Sequence, residues 1–285
     1  MEEERNPTDQ PDLKGSVKEH WERETCGTWY AEASDRSRYF AEVSEARYRL
    51  EPYIRSFADF PSATGKRVLE IGVGAGADFE QWCEYASHAT GIDLTEAAIR
   101  LTCERMALRG VSPERYTLRS GDAEDLPFET GSFDLVWSWG VLHHTPRTEA
   151  AIAEVHRVLV PGGEFRGMVY HHPSWTGLML TGEHMVRRRS LRPAPRRAAA
   201  DLLESPGTKV YRLSEAQKML AAVGFRDVHV SSILGPGDLL TVQPSERYQG
   251  AVMQRLWRLY PRVLVRRTGG RFGMNLLMSA KKASV

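Results

Sequence analysis

An apolar run, a carboxylate and three alternating glycines follow one another near residue 70. Glu70 lies in the apolar run Arg67 to Ile71, and the glycines come next: Gly72, Gly74 and Gly76. Glycine lets the backbone turn sharply and approach a bound molecule closely. A buried parallel strand that leads into such a turn and then into a helix places its end beside a ligand. The stretch therefore predicts the first strand of an open α/β sheet and a ligand-binding loop.

A second carboxylate, Asp93, ends the apolar stretch that begins at His88. About 20 residues after a glycine loop, a carboxylate at the end of the second strand can accept hydrogen bonds from both hydroxyls of a ribose. The glycine spacing departs from the dinucleotide fingerprint, and Glu70 would repel a pyrophosphate at the following helix N-terminus. A ligand with a cationic amino-acid end fits this carboxylate. The alternative is a glycine-rich turn in another kind of α/β protein.

At this point the sequence resembles the class I S-adenosylmethionine (SAM) dependent methyltransferases. Their signature is an apolar strand, Glu or Asp, Gly-x-Gly-x-Gly, and later an acidic strand end. The resemblance implies that SAM is the cofactor, that Glu70 and the three glycines lie at its amino-acid end, and that Asp93 with its neighbour Leu94 lies at its ribose.

The loop Ser120 to Phe128 is similar to the adenine-binding segment of this family. It contains Gly-Asp-Ala-x-x-Leu-Pro-Phe in the family's order. By that resemblance the Asp122 carboxylate accepts a hydrogen bond from the adenine amino group, and the Ala123 backbone N–H donates to a ring nitrogen. The alternative for this loop is a solvated acidic turn.

The predicted fourth strand, Phe133 to Ser138, leads through Trp139 into Val-Leu-His-His. Methyltransferases of quinone biosynthesis and of other small molecules carry a similar strand end. The resemblance implies that the backbone of Ser138 and Trp139 faces the methionine part of SAM. His143 and His144 either pack beneath the ligand or, if one is a general base, titrate near neutrality as that task requires.

Further segments are expected to enclose the site. Residues 1–15 read as a disordered tail and residues 16–60 as an N-terminal helical lid, whose aromatic residues are either packing residues or ligand contacts. By the family resemblance, Tyr30 or Tyr39 contributes a contact near the methionine end of SAM. The residues from Phe40 to Phe57 recur at helical spacing, which predicts an amphipathic helix.

Residues 61–285 are predicted to form the SAM-binding domain, with substrate-lid insertions at 171–210 and 234–271. His171 and His172 follow the fifth strand and are further candidates for a general base. The arginines between Arg187 and Arg197 form either a solvated face or a site for a substrate carboxylate or phosphate. A helix from Ser214 is predicted from a capping box, and another amphipathic helix is predicted between Tyr248 and Tyr260.

Composition excludes several classes. The 285 residues carry a formal net charge of +1, so no global basic field indicates binding to nucleic acid or to an anionic membrane. No apolar run is long enough to span a bilayer and the N-terminus does not resemble a signal peptide, so a cytoplasmic protein is expected. Three cysteines without a Cys-x-x-Cys pair indicate neither a disulfide framework nor a zinc site, and no metal site is predicted.

Taken together, the motifs predict an α/β protein with a Rossmann-like, seven-stranded, mostly parallel sheet whose last strand is antiparallel. The expected function is SAM-dependent methyl transfer to a small organic molecule, first to oxygen, in specialised metabolism. Transfer to carbon or nitrogen, a SAM-binding enzyme with another reaction such as a cyclisation, and an RNA or protein modifier are the alternatives. The expected partner is a small-molecule acceptor, and a homodimer is left open.

Overall fold

The computed structural model describes residues 13–28, 31, 33–241 and 260–284. Its centre is a seven-stranded sheet in the order β3-β2-β1-β4-β5-β7-β6. The strands are β1 (Arg67–Ile71), β2 (His88–Asp93), β3 (Tyr116–Ser120), β4 (Phe133–Trp139), β5 (Leu159–Tyr170), β6 (Phe225–Ile233) and β7 (Asn275–Lys282). β1 to β5 are parallel, and β7 is antiparallel to both β5 and β6. The predicted Rossmann-like sheet with an antiparallel last strand is therefore confirmed.

Helices cover the sheet and its carboxyl edge. In the described residues they are α1 (Leu13–Arg23), α2 (Arg36–Leu50), α3 (Tyr53–Ala58), α4 (Ala77–Tyr85), α5 (Glu96–Leu108), α6 (Thr148–Val158), α7 (Trp175–Arg188), α8 (Pro195–Leu202), α9 (Leu213–Ala222), α10 (Pro236–Leu239) and α11 (Arg262–Arg267). No helix among them has the length and apolar content needed to cross a bilayer. The helix predicted between Tyr248 and Tyr260 lies outside the described residues except for Tyr260.

Both faces of the central strands are buried, as expected for parallel strands between two helical layers. Leu69 and Val136 belong to one hydrophobic cluster, whereas Val68, Leu135 and Trp137 belong to the cluster on the opposite face. All five side chains are fully buried. Because successive side chains on a strand point to opposite faces, two apolar layers hold β1 and β4 in place. This rigid centre fixes the loops that follow the two strands.

Three local predictions are corrected. The single helix predicted from Phe40 to Phe57 is two helices, α2 and α3, because Pro52 has no N–H to continue the hydrogen bonding of α2. Helix α1 begins at Leu13, so residues 13–15 of the predicted tail are helical. Helix α9 begins at Leu213: its capping carboxylate is Glu215, which accepts a hydrogen bond from the Arg212 backbone N–H at 2.9 Å.

The strand β5 begins before the predicted Glu164, because residues 159–163 of the Pro-Gly-Gly turn already belong to it. At its carboxyl end the first predicted insertion, 171–210, forms helices α7 and α8. The described ends of the second insertion, 234–271, form α10 and α11. Both insertions contact the carboxyl edge of the sheet, where the strand order reverses between β1 and β4 and where ligands bind in open α/β sheets.

Candidate active site

A cavity of about 340 Å³ opens at the carboxyl ends of β1, β2 and β4. Its lining comes from the loops after these strands, from helix α1 and from the two insertions. One end is bordered by Asp93 and Asp122, and the other by Trp139, Tyr170 and Glu204. The cavity therefore joins the predicted cofactor loops to residues of β4, β5 and the first insertion.

The glycine loop after β1 forms the floor of this cavity. Gly72 and Gly74 both line it and both have a positive φ, of 83° and 50°. A Cβ atom at Gly72 would lie 2.2 Å from a methyl carbon of Val141, so only glycine fits there. Gly76 does not line the cavity, contrary to the prediction. It ends the turn at φ 75° as the residue before α4, close to Thr102 and Arg105.

Glu70 is buried, lines the cavity and leaves its Oε2 atom without a hydrogen-bond partner in the described residues. Burial raises the pKa of Glu70 well above its ordinary value, the nearby Asp78 carboxylate adds to this, and Arg47 opposes it. A buried carboxylate oxygen without a hydrogen-bond partner destabilises the folded protein. A cationic group bound in the cavity would supply that partner.

Asp93 also lines the cavity, at the end of β2 and beside Leu94. Its Oδ1 atom accepts hydrogen bonds from the backbone N–H and the hydroxyl of Thr95, at 3.0 and 2.9 Å. Its Oδ2 atom accepts from the Gly74 N–H at 3.2 Å. Burial raises the pKa of Asp93 and these hydrogen bonds oppose the rise. The carboxylate is thus held in one orientation beside the glycine loop.

Asp122 and Ala123 line the same end of the cavity, and their predicted contacts with adenine stay a prediction. The Asp122 carboxylate accepts a hydrogen bond from the Glu124 N–H at 2.9 Å. It also forms an ion pair with Lys14. Lys14 also binds Glu124, at 2.8 Å, and lines the cavity from helix α1. Sequence reasoning missed Lys14, which lies in the segment interpreted as a tail.

Two further predicted cofactor contacts lie elsewhere. Tyr39 does not line the cavity: it is buried against Phe40, Val43 and Ala75, and its hydroxyl donates to the Thr28 carbonyl at 3.3 Å. The other candidate tyrosine of this segment, Tyr30, lies outside the described residues.

Of the predicted pair at the end of β4, only Trp139 lines the cavity. Its ring stacks on Trp137, with 5.2 Å between centroids, and its Nε1 atom donates to Glu51 Oε2 at 3.3 Å. Ser138 is fully buried and its hydroxyl donates to the Ile71 carbonyl at 3.2 Å. The predicted contact at the methionine end concerns the Ser138 backbone, which the side-chain direction does not test, so it stays a prediction.

Only one of the four candidate histidines, His144, lines the cavity. His143 is fully buried behind it, with its ring 4.1 Å from the rings of both His144 and Tyr170. Burial, followed by the charge of His144, lowers the pKa of His143 well below its ordinary value. His171 donates from Nδ1 to the Gly273 carbonyl at 2.8 Å, away from the cavity. His172 does not line the cavity either, so His144 is the candidate base that the cavity lining supports.

Polar groups from the first insertion surround His144. Its Nδ1 atom lies 2.8 Å from the Ser205 hydroxyl and 3.1 Å from the Thr208 hydroxyl. Its Nε2 atom lies 3.3 Å from Glu204 Oε2, and Glu204 Oε1 accepts a hydrogen bond from the Tyr170 hydroxyl at 2.8 Å. The tertiary structure thus assembles a polar group at the second end of the cavity from β5, the turn after β4 and the segment after α8.

The cavity geometry agrees with what comparison with known proteins finds. Residues 69–166, which run from β1 into β5, match the family model described as a methyltransferase domain. The chain carries a class I SAM-dependent methyltransferase domain.

A relative of this methyltransferase domain is phthiotriol/phenolphthiotriol dimycocerosates methyltransferase 1 of Mycobacterium ulcerans. The two are 43% identical over 126 residues, which cover 43% of this chain and 44% of that protein. The chain therefore matches less than half the length of this curated relative.

Solved structures share the fold of the methyltransferase domain. The cyclase SpnF superposes with a TM-score of 0.55 at 18% identity, over 90% of this chain and 86% of its own. Phosphoethanolamine N-methyltransferase 2 of Haemonchus contortus, solved with phosphomonomethylethanolamine and S-adenosylhomocysteine, gives 0.55 at 19% identity over 83% of this chain and 52% of its own. At these identities the likeness concerns the fold.

The second end of the cavity has mostly apolar walls, made by Trp21 of α1 and by Met168, Leu203, Pro236 and Met274. Sequence reasoning predicted that the insertions would wall a pocket, and it did not identify Glu204, Ser205 or Thr208. No motif marks these three residues. They follow α8 in the chain and meet His144 only in the folded protein.

The arginine-rich segment does not line the cavity. Arg188 and Arg197 pair with Asp201, at 3.1 and 3.5 Å, and Arg196 pairs with Glu215. These side chains are largely exposed and carry their own counterions. The geometry favours the solvated face over the anion site for this segment.

Proposed function

We propose that this protein transfers the methyl group of SAM to a small organic acceptor, first of all to an oxygen atom. One observation carries the proposal: a single cavity joins Glu70, the glycine loop and Asp93 to a second, partly apolar end that contains Trp139 and Glu204. A two-reactant transfer needs both reactants in one enclosed space. SAM, the cofactor of the methyltransferase domain, is the methyl donor.

The proposed cofactor placement follows from the polar groups of the first end. The unpaired Glu70 oxygen faces the ammonium group of the amino-acid moiety, and the oriented Asp93 carboxylate accepts from the ribose hydroxyls. Asp122 and the Ala123 backbone lie where adenine is expected. The sulfonium then lies between the two ends, with its methyl group directed toward the acceptor.

The reaction itself demands little covalent chemistry from the protein. The positive sulfur makes the methyl carbon an electrophile, so the enzyme's task is in-line placement of the acceptor. Such placement can lower the barrier by about 7–11 kcal/mol. An acceptor hydroxyl must also lose its proton, and His144 and Glu204 are the groups at the acceptor end placed to promote that loss.

The comparisons support a small-molecule acceptor. The Mycobacterium ulcerans relative is named for phthiotriol and phenolphthiotriol dimycocerosates, and the Haemonchus contortus structure is that of a phosphoethanolamine N-methyltransferase. The apolar walls beside Met168 and Leu203 suit an acceptor with an apolar body. Trp21 of helix α1 lines the cavity, which supports the proposal that residues 16–60 act as a lid.

The test uses methyl-labelled SAM with a panel of apolar alcohols, phenols, amines and phosphoethanolamine. We expect one acceptor class to gain the label and to release S-adenosylhomocysteine in equal amount. Asp93→Asn should weaken this transfer, whereas Asp134→Asn, at the opposite end of the sheet beside Arg67, should not. If the label appears on a nitrogen or carbon atom, that atom replaces oxygen as the proposed acceptor atom. A product without S-adenosylhomocysteine would select the alternative of a SAM-binding cyclase-like enzyme.

A further inference from the structure

His143, His144 and Glu204 form a cluster at the acceptor end of the cavity, here called the histidine–glutamate cluster. One ligating atom of each residue lies within 4.8 Å of the corresponding atoms of the other two. Two imidazole nitrogens and a carboxylate oxygen are a common donor set for divalent transition-metal ions.

His143 provides an independent sign that a partner belongs here. Its side chain is fully buried, and neither ring nitrogen has a hydrogen-bond partner in the described residues. A buried polar group without a partner destabilises the folded protein. No hydrogen bond holds the ring, so a small rotation toward a bound ion would break none.

The neighbours of His144 fix which of its nitrogens can bind an ion. The Thr208 hydroxyl donates its hydrogen to the Ser205 carbonyl at 2.6 Å. The Ser205 hydroxyl, at 2.8 Å, and the Thr208 hydroxyl, at 3.1 Å, both lie beside His144 Nδ1, so these two neighbours occupy that nitrogen. The nitrogen left for an ion is Nε2. This nitrogen makes no hydrogen bond in the described part of the chain and faces Glu204 Oε2 at 3.3 Å.

That separation matches what a shared ion requires. Two ligands bound at about 2.0–2.1 Å in a tetrahedral arrangement lie about 3.3–3.4 Å apart. The second oxygen of Glu204 accepts a hydrogen bond from the Tyr170 hydroxyl at 2.8 Å, which orients the carboxylate. Polar partners behind each ligand are typical of metal sites, because they hold the donor atoms in place.

We propose that the histidine–glutamate cluster binds one divalent transition-metal ion of the zinc type, with an open position facing the cavity. The role of the open position rests on the proposed function: it takes the acceptor oxygen. The ion favours loss of the hydroxyl proton to water, and the resulting alkoxide attacks the SAM methyl carbon. The carbon–sulfur bond breaks as the carbon–oxygen bond forms, which gives the methyl ether and S-adenosylhomocysteine.

The experiment titrates Co²⁺ into the full-length, chelator-treated protein and follows visible absorption and heat. We expect about one ion per chain, and at least tenfold weaker binding in Glu204→Gln and in His143→Gln. The control is His184→Gln, which removes a histidine–carboxylate pair of similar length, 3.2 Å to Asp201, that does not line the cavity. SAM binding by calorimetry shows that each variant is folded.

Absence of stoichiometric Co²⁺ binding by the wild-type protein would overturn the proposal, as would equal losses in Glu204→Gln and His184→Gln. Methyl transfer that continues unchanged after chelation would overturn it as well and would leave the proposed methyltransferase function intact. If SAM does not bind while Co²⁺ does, the proposed function fails and the metal site stands.

Discussion

The Asp93 carboxylate accepts a hydrogen bond from the Gly74 backbone N–H, with 3.2 Å between oxygen and nitrogen. The end of β2 is thereby linked to the glycine loop after β1. The same carboxylate accepts twice from Thr95, at the start of α5. The group proposed to hold the ribose thus also fixes the shape of the loop that borders the cofactor, so cofactor affinity depends on it in two ways.

Replacement of Asp93 by Asn should weaken SAM binding about 10- to 100-fold. The reason is that an amide offers one accepting oxygen, and each hydrogen bond to a charged group contributes about 1.5–3 kcal/mol. Isothermal titration calorimetry measures the change. Asp134→Asn, whose carboxylate pairs with Arg67 outside the cavity, is the matched control. Equal affinities of wild type and Asp93→Asn would contradict the ribose assignment.

Replacement of Glu70 by Gln should affect stability and binding in opposite directions. Burial raises the pKa of the folded-state carboxyl above its ordinary value of 4.5, so the wild type loses stability as pH rises through that higher pKa. Gln does not ionise. Without SAM, the melting temperature of Glu70→Gln should therefore rise relative to that of the wild type between about pH 5 and pH 8. The affinity of the variant for SAM should be lower than that of the wild type.

The measurement is a series of thermal unfolding curves across this pH range, together with calorimetric titration of SAM at pH 8. A variant that is less stable than the wild type by the same amount at every pH would show that Glu70 serves packing alone.

Removal of the Lys14 charge should loosen helix α1. Lys14 is the residue of α1 that pairs with both Asp122 and Glu124 in the adenine-side loop. In Lys14→Met we expect faster limited proteolysis within residues 13–28 and a smaller effect of added salt on that rate, since screening weakens the pairs in the wild type. Lys18→Met changes an exposed lysine of the same helix and should match the wild type. Equal cleavage rates for all three proteins would show that the Lys14 ion pairs do not hold α1 in place.

Asp238 should be a structural requirement of the acceptor end. Its carboxylate accepts from the Thr176 N–H at 3.0 Å, the Gly235 N–H at 2.9 Å and the Met274 N–H at 2.6 Å, so it joins α7, α10 and β7. Asn would turn an amide N–H toward one of these donors. Asp238→Asn should therefore lower the free energy of unfolding by about 1–3 kcal/mol.

Denaturant unfolding measures this loss. Asp227→Asn, at an exposed position of β6, serves as the control and should leave stability unchanged. If the two variants unfold at the same denaturant concentration, the three backbone hydrogen bonds to the Asp238 carboxylate contribute little.

Some site residues could be predicted because their role depends on local chain geometry. A glycine turn after a buried strand and an acidic residue at the next strand end use backbone positions that the sheet itself fixes, and Gly72, Gly74 and Asp93 line the cavity as predicted. Two other residues predicted to contact the cofactor do not line the cavity, because the spacing of residues along the chain does not reveal which way each residue faces. Tyr39 turns into the N-terminal core, and Gly76 serves the start of α4.

The amino-acid sequence by itself determined the alternation of strands and helices and the glycine loop, because these follow from hydrophobic periodicity and local backbone freedom. Only the tertiary structure decided that His144 reaches the cavity while His143 lies behind it, and that Glu204 joins them. The three residues come from segments about 60 positions apart. Their meeting depends on how the insertion packs against the sheet edge, which no local pattern encodes.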